Sequence, residues 1–316
     1  MAENIPPAAS PSPERPSGAS PSPERPSGAS PSFNANGSLA VVTGAAGGIG
    51  AALVRELARR GAGTVVALDL EGPHTVAVAK VIDAEFVDCT IVGAGLDVAD
   101  ATATLELIDS IEAERGPIDL WCANAGIGTL QGVEAAPATW QRMWEVNVMA
   151  HVHAAAVLVP RWVERGRGHL LATASAAGLL SNLGDAPYST TKHAAVAFAE
   201  WVAITHGDQG VGVTCLCPQG VRTPMVFGAK ADEFAQLRDG VRQQTDRDDA
   251  VAISVVRSRD VLEPTEVAAV AIDALEDGRF LALPHPEVAG FEQARAADHD
   301  RWITGMRRLS ASLAAE

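Results

Sequence analysis

The chain is poor in basic residues and in aromatic rings. Lys and Arg number 24 against 39 Asp and Glu, a formal net charge of −15 over 316 residues. That balance argues against a basic face for nucleic acid or for an anionic membrane, and neither is expected as a partner. Only three of the cations are lysines: Lys80, Lys192 and Lys230. Aromatic residues make up 4% of the chain, and Tyr188 is its single tyrosine. The four cysteines, Cys89, Cys122, Cys215 and Cys217, are expected to be small buried apolar residues rather than disulfides. Cys215 and Cys217 would share one face of a strand, but no further pair of ligands is spaced to complete a metal site, so none is expected. No apolar run is long and clean enough to span a bilayer. The opening "MAENIPPAAS" has neither a basic start nor an apolar stretch after it, so a cytoplasmic protein is expected.

Hydrophobic residues make up 47%, enough for a large core. Residues 11–30 are the decapeptide "PSPERPSGAS" written twice. With its flanks it predicts a disordered Pro/Ser-rich tail over residues 1–37, because there is almost nothing apolar to bury. From residue 38 to 316 the texture is that of one domain. Short apolar runs at 39–44, 64–70, 90–98, 117–126, 168–175, 210–218 and 280–284 alternate with helical patterns. Continuous apolar runs predict strands buried on both faces, as in a parallel sheet. Strand and helix in alternation predict an α/β, doubly wound sheet of seven strands. The charged, irregular stretch 225–261 breaks that rhythm and is expected to cover the substrate as a lid.

The first unit, "AVVTGAAGGIGAALVRELARRG", is a strand, a glycine-rich turn and a helix. Gly44, Gly48 and Gly50 lack a Cβ, so the backbone can approach a pyrophosphate closely. The helix that follows aims its positive end at the same anion. The second strand ends at Asp69, 19 residues after Gly50. A carboxylate there accepts from ribose hydroxyls and repels a 2′-phosphate, and no cation stands beside it. The reading is therefore NAD(H) rather than NADP(H).

Tyr188 and Lys192 stand at i and i+4 in "PYSTTK" and share one face of a helix. A free tyrosine has a pKa of about 10 and is a poor base at neutral pH. A neighbouring ammonium favours the phenolate. Ser175 lies 13 residues before Tyr188, at the end of the strand "HLLATAS". Its hydroxyl can donate to the carbonyl oxygen that Tyr188 protonates.

On these residues the chain resembles the short-chain dehydrogenase/reductase family in its single-domain form, over about residues 38–285. "TGAAGGIG" is similar to the family's T-G-x-x-x-G-x-G turn, which includes Ile49. "LDV" resembles the adenine-holding segment, with Asp97 at the N6 amine and Val98 beside it. "ANAG" resembles N-N-A-G, keeping Asn124, Ala125 and Gly126 but carrying Ala123 for the first asparagine. "VNV" implies a catalytic Asn147 whose backbone carbonyl holds a water near Lys192. With Ser175, Tyr188 and Lys192 it completes a tetrad. After the sixth strand, "CPQGVRTPM" departs from the family's P-G order. The spacing still allows Pro218, Val221 and Thr223 to meet the nicotinamide, while Gln219 brings a polar side chain to the pocket edge.

The resemblance implies hydride transfer between NAD(H) and a secondary alcohol or ketone, in a homodimer or homotetramer paired through the helices of Asn147 and Tyr188. The substrate is a small-molecule alcohol or ketone, and the apolar stretch after Ser175 favours a hydrophobic or cyclic one. His193 is expected to pack, and Trp140, Trp144, Trp162 and Trp201 to serve core or subunit contacts. Two alternatives stay open: a non-catalytic dinucleotide-sensing regulator on the same fold, and a sugar-nucleotide epimerase or dehydratase. The intact Tyr/Lys pair speaks against the first, and the glycine spacing speaks against the second.

Overall fold

A computed structural model describes residues 31–227 and 261–314. The tandem repeat and most of the expected lid lie outside the described residues. Seven strands form one parallel sheet in the order β3-β2-β1-β4-β5-β6-β7. They are β1 (Leu39–Thr43), β2 (Thr64–Asp69), β3 (Thr90–Gly95), β4 (Leu120–Ala123), β5 (Gly168–Thr173), β6 (Val211–Leu216) and β7 (Leu281–Ala282). Each central strand is apolar on both faces because helices cover both, and β1, β4, β5 and β6 are buried along their whole length.

One layer holds α1 (Gly48–Arg59), α2 (Gly72–Asp83) and the helix Pro264–Glu276, packed on Val42, Val65, Leu120 and Leu171. The other holds α3 (Ala101–Arg115), α5 (Ala150–Arg165) and α6 (Ala186–His206), packed on Val41, Val66, Trp121 and Leu170. The alternation along β1 and β4 decides which residue faces which layer. Trp121 and Trp162 are both fully buried in the second layer, each worth about 150–250 Å² of covered surface. The Trp162 indole N–H is satisfied by the Ile118 carbonyl at 2.8 Å.

Strand order reverses between β1 and β4, which makes a crevice outside the carboxyl ends of the strands. The strands are shorter than the apolar runs. β3 stops at Gly95 and β4 at Ala123, and the motif residues that follow are irregular chain at the mouth of the crevice.

The expected tail boundary at residue 37 is too late. Phe33 and Ala35 are buried, Phe33 N–H donates to the Leu275 carbonyl at 3.0 Å, and its ring meets His169 edge-on at 5.2 Å. One aromatic in a Pro/Ser-rich stretch finds a groove between β5 and the helix Pro264–Glu276, so residues 33–37 belong to the domain. Among the other tryptophans named above, Trp144 and Trp201 are exposed, at 42% and 57%. No helix among the described residues is long and apolar enough to cross a membrane.

Candidate active site

A cleft of 390 Å³ opens at the crevice. Its lining contains Gly44, Gly48, Ile49, Gly50, Asp69, Asp97, Val98, Asn124, Ala125 and Gly126. It also contains Ser175, Tyr188, Lys192, Pro218, Val221 and Thr223. Of the residues the sequence assigns to catalysis or cofactor binding, only Asn147 is not at its surface, and Gln219 is at it too.

The glycine turn is forced by contacts. A Cβ on Gly50 would lie 1.9 Å from the Gly44 carbonyl oxygen, and Gly48 has a φ of +51°. The helix α1 starts at Gly48 with no side-chain cap, and the position a Gly47 Cβ would take has nothing within 4 Å. Open backbone at an uncapped helix N-terminus is a cradle for an anion. Asp69 stands at the next strand end. Its Oδ2 accepts from Ala46 N–H at 3.0 Å and its Oδ1 from Leu70 N–H at 2.8 Å. Asp97 lies farther along the same wall and pairs with Arg142 at 3.1 Å. Burial works against its charge, but the Ala99 N–H and Arg142 together hold its carboxyl below the usual range.

Asn124 ties the turn to β4. Its side-chain amide donates to the Thr43 carbonyl at 2.9 Å, and its backbone N–H donates to Thr43 Oγ1 at 2.9 Å. Ala125 N–H donates to that hydroxyl as well, at 3.0 Å. Thr43 thus fixes the two strand ends between which the strand order reverses.

Tyr188 and Lys192 occupy the first two turns of α6. Asp185 caps that helix and Pro187 sits in its first turn, where the missing N–H costs nothing. Lys192 Nζ lies 5.7 Å from the centre of the Tyr188 ring and donates to the Thr173 carbonyl at 2.9 Å. Ser175 follows β5. Its hydroxyl donates to the Pro218 carbonyl at 3.4 Å and accepts from Ala177 N–H at 3.1 Å. Asn147 sits in a single π-helical turn, Glu145–Met149, between α4 (Pro137–Trp144) and α5. Such wide turns are frequent at functional sites. Its side chain grips Ile127 from both sides, accepting from its N–H and donating to its carbonyl at 2.9 Å each. It also donates to Thr191 Oγ1 at 3.1 Å.

The sequence profile of the family described as short chain dehydrogenase matches residues 38–233. The chain belongs to the short-chain dehydrogenases. A 1-deoxy-11-beta-hydroxypentalenate dehydrogenase of Streptomyces exfoliatus is 41% identical over 62% of this chain and 72% of its own. A cis-4-hydroxycyclohexanecarboxylate dehydrogenase of Sinomonas cyclohexanicum is 32% identical over 63% and 79%. Among solved structures, a short-chain dehydrogenase/reductase from Burkholderia phymatum in complex with NAD is 27% identical. It matches at a TM-score of 0.72 over 85% of this chain and 96% of that one. The first two relatives are named as dehydrogenases of hydroxy compounds, and the family uses a nicotinamide dinucleotide.

In this short-chain dehydrogenase the ammonium is buried and the phenol half-buried at the cleft wall, which shapes their acidity. Desolvation pushes the Tyr188 pKa up; the Ser175 hydrogen bond works against that, and nearby Asp185 adds to it. The sequence predicts a lowered phenol; here desolvation dominates and only the Ser175 hydrogen bond opposes it. Burial takes Lys192 down to about 8, with the neighbouring Cys215 and Cys217 side chains working the other way. Those two thiols lie 3.8 Å apart, buried on the strand face beside the lysine.

Sequence reasoning missed three contributors. Arg142 holds Asp97, Thr191 joins α6 to the Asn147 turn, and Asp185 joins α6 to the loop after β4. Asp before a Pro-containing helix start was a visible capping signal. Nothing local marked the other two. Gln219 lies at the cleft surface, and its backbone N–H donates to His285 Nδ1 at 3.1 Å. His193 bonds back to the Ser189 carbonyl at 2.8 Å, in keeping with a packing role.

Proposed function

We propose that this short-chain dehydrogenase interconverts a secondary alcohol and its ketone with NAD(H), and that Tyr188 moves the hydroxyl proton. The observation that carries the reading is the convergence of Ser175, Tyr188 and Lys192 on the same cleft that has Asp69 in its wall. Asp69 ends β2 and Ser175 follows β5, three strand spacings away in the sheet, or about 14 Å. One extended ligand can lie across that distance along the glycine turn.

The dinucleotide, when bound, supplies the acceptor or donor of hydride. The residues Gly44, Gly48, Ile49 and Gly50 would hold its pyrophosphate. Asp69 would take the adenosine ribose, Asp97 and Val98 the adenine. Asn124, Ala125 and Gly126 would lie along its middle, and Pro218, Val221 and Thr223 at the carboxamide. The chain's own chemistry is proton transfer. In reduction the Tyr188 phenol, which carries its proton at neutral pH, gives it to the substrate oxygen. Ser175 Oγ holds that oxygen. In oxidation Tyr188 must reach the phenolate, which the Lys192 ammonium and the Ser175 hydroxyl favour. Lys192 also reaches a ribose hydroxyl, and the Asn147 backbone carbonyl holds the water that relays the proton outward.

Ile127, Val146 and Met225 give the remaining wall an apolar character, which fits a hydrophobic or cyclic secondary alcohol. The relatives' names, a hydroxypentalenate and a hydroxycyclohexanecarboxylate dehydrogenase, support the same class. Trp201 and Ile204, exposed on α6 at 57% and 78%, support a homo-oligomer paired through that helix. The test is reduction of NAD⁺ across aliphatic, cyclic, steroid and sugar alcohols, with NADP⁺ in parallel. Turnover of a cyclic or hydrophobic secondary alcohol with NAD⁺ is expected. Binding of NADH without turnover of any alcohol would overturn the reading in favour of a dinucleotide sensor.

A further inference from the structure

Asp185 is 2% exposed and does more than cap α6. Its Oδ1 accepts from Tyr188 N–H at 2.9 Å, the capping bond, and from Thr129 Oγ1 at 3.0 Å. Its Oδ2 accepts from the successive backbone N–H groups of Thr129 and Leu130, at 2.6 and 2.7 Å. Two neighbouring N–H groups converging on one oxygen bend the chain tightly. Leu130 stands there with a φ of 54°, a left-handed conformation that side chains resist and that persists only where contacts enforce it.

The bent segment passes the phenol. A Cβ on Gly128 would lie 3.6 Å from Asp185 Oδ2 and 3.8 Å from Tyr188 Cδ2. Ala186 N–H adds a bond to the Gln131 carbonyl at 2.9 Å. At its start the loop is gripped by Asn147 through Ile127, which lines the cleft. A helix cap needs one side-chain oxygen, and Ser or Asn supplies it as well as Asp. Here the second oxygen is also used, and all four bonds are donated to the side chain. A carboxylate, which only accepts, suits that arrangement, whereas an amide would turn its NH₂ on N–H groups.

We propose that Asp185 is a positioning residue of the reaction. It locks loop 127–131 onto the first turn of α6, so that the cleft wall at Ile127 and the Tyr188 phenol keep one geometry. This rests on the reading of Tyr188 as the acid/base group. A substrate resting on that wall then meets the phenol at a fixed place, and small displacements at such a place are costly in rate.

The test compares Asp185→Ser, Asp185→Asn and Tyr188→Phe. Serine keeps a capping oxygen for Tyr188 N–H but is too short to reach the loop. The expected D185S protein folds, melts below wild type because the Thr129 and Leu130 N–H groups lose their acceptor, and binds NADH as wild type. Its kcat falls about tenfold to a hundredfold and its KM for the alcohol rises. D185N is expected to lose at least as much. Replacing Leu130 by Gly in the D185S background restores part of kcat, because glycine takes a positive φ unaided. A helix cap alone would give no such rescue. Wild-type kcat and KM in D185S, or a loss that L130G leaves untouched, overturns the proposal. Should D185S fail to fold, amide exchange of the wild-type protein decides. Protection of the Thr129 and Leu130 amides matching that of Tyr188 supports the lock, and exchange at solvent rates overturns it. That exchange needs no activity, whereas full turnover in Y188F would overturn the acid/base reading instead, so the two failures separate.

Discussion

Lys192 Nζ lies 5.7 Å from the centre of the Tyr188 ring, and its hydrogen bond goes to the Thr173 carbonyl rather than to the phenol. Lys192 is buried and Tyr188 half-buried beside it, and desolvation moves them in opposite directions, the phenol up and the ammonium down to about 8. Both shifts favour the neutral forms.

The consequence is a pH dependence of opposite sign for the two directions. A raised phenol pKa means that Tyr188 carries its proton at neutral pH and below. Ketone reduction, which uses the protonated form, is expected to hold its kcat/KM from acid to neutral pH and to fall at alkaline pH. Alcohol oxidation, which uses the phenolate, is expected to rise as pH increases. Measuring both directions across the pH range checks this, and oxidation that is fastest in acid would contradict it.

Lys192 should not be replaceable by arginine. Its ammonium is 2% exposed, and a Cβ on Gly126 would already lie 3.3 Å from Nζ. A guanidinium is larger and planar, and it cannot donate to the Thr173 carbonyl from the same point. Lys192→Arg is expected to lose about a hundredfold in kcat with NADH binding weakened, measured by steady-state kinetics and fluorescence titration.

Asp69 should govern the choice of dinucleotide. Replacing it by Ser removes the charge that repels a 2′-phosphate while leaving a group able to accept from Ala46 N–H. The ratio of kcat/KM for NADP⁺ to that for NAD⁺ is expected to rise about tenfold or more. An unchanged ratio would remove Asp69 from the cofactor reading.

Gly50 should tolerate no side chain. Its absent Cβ would lie 1.9 Å from the Gly44 carbonyl oxygen, which is backbone and cannot step aside cheaply. Gly50→Ala is expected to cost about 1–3 kcal/mol in thermal or denaturant unfolding and to weaken NADH binding, since the whole turn must move.

Much of the site was readable because its chemistry is written at fixed spacings next to strand ends. The glycines from 44 to 50, Asp69, Ser175 and the Tyr188/Lys192 pair each combine a residue type with a local context that the chemistry needs. What was not readable joins distant parts of the chain. Asp185 meets Thr129 across 56 residues, and Asn147 meets Thr191 across 44. Neither pairing leaves a local pattern. Phe33 was assigned to a tail because its neighbours are Pro and Ser, yet its burial depends on His169 and Leu275. The sequence shows the phenol's helical neighbour Lys192 but not the desolvation that opposes the phenolate.

The most direct test of the central claim is Tyr188→Phe, because Tyr188 is the single tyrosine of the chain and no other phenol can substitute for it. Turnover of the best alcohol with NAD⁺ and binding of NADH are measured on the same preparation. The account predicts a fall in kcat of about a thousandfold or more with NADH affinity largely retained. Turnover at the wild-type rate in the Tyr188→Phe protein would contradict it.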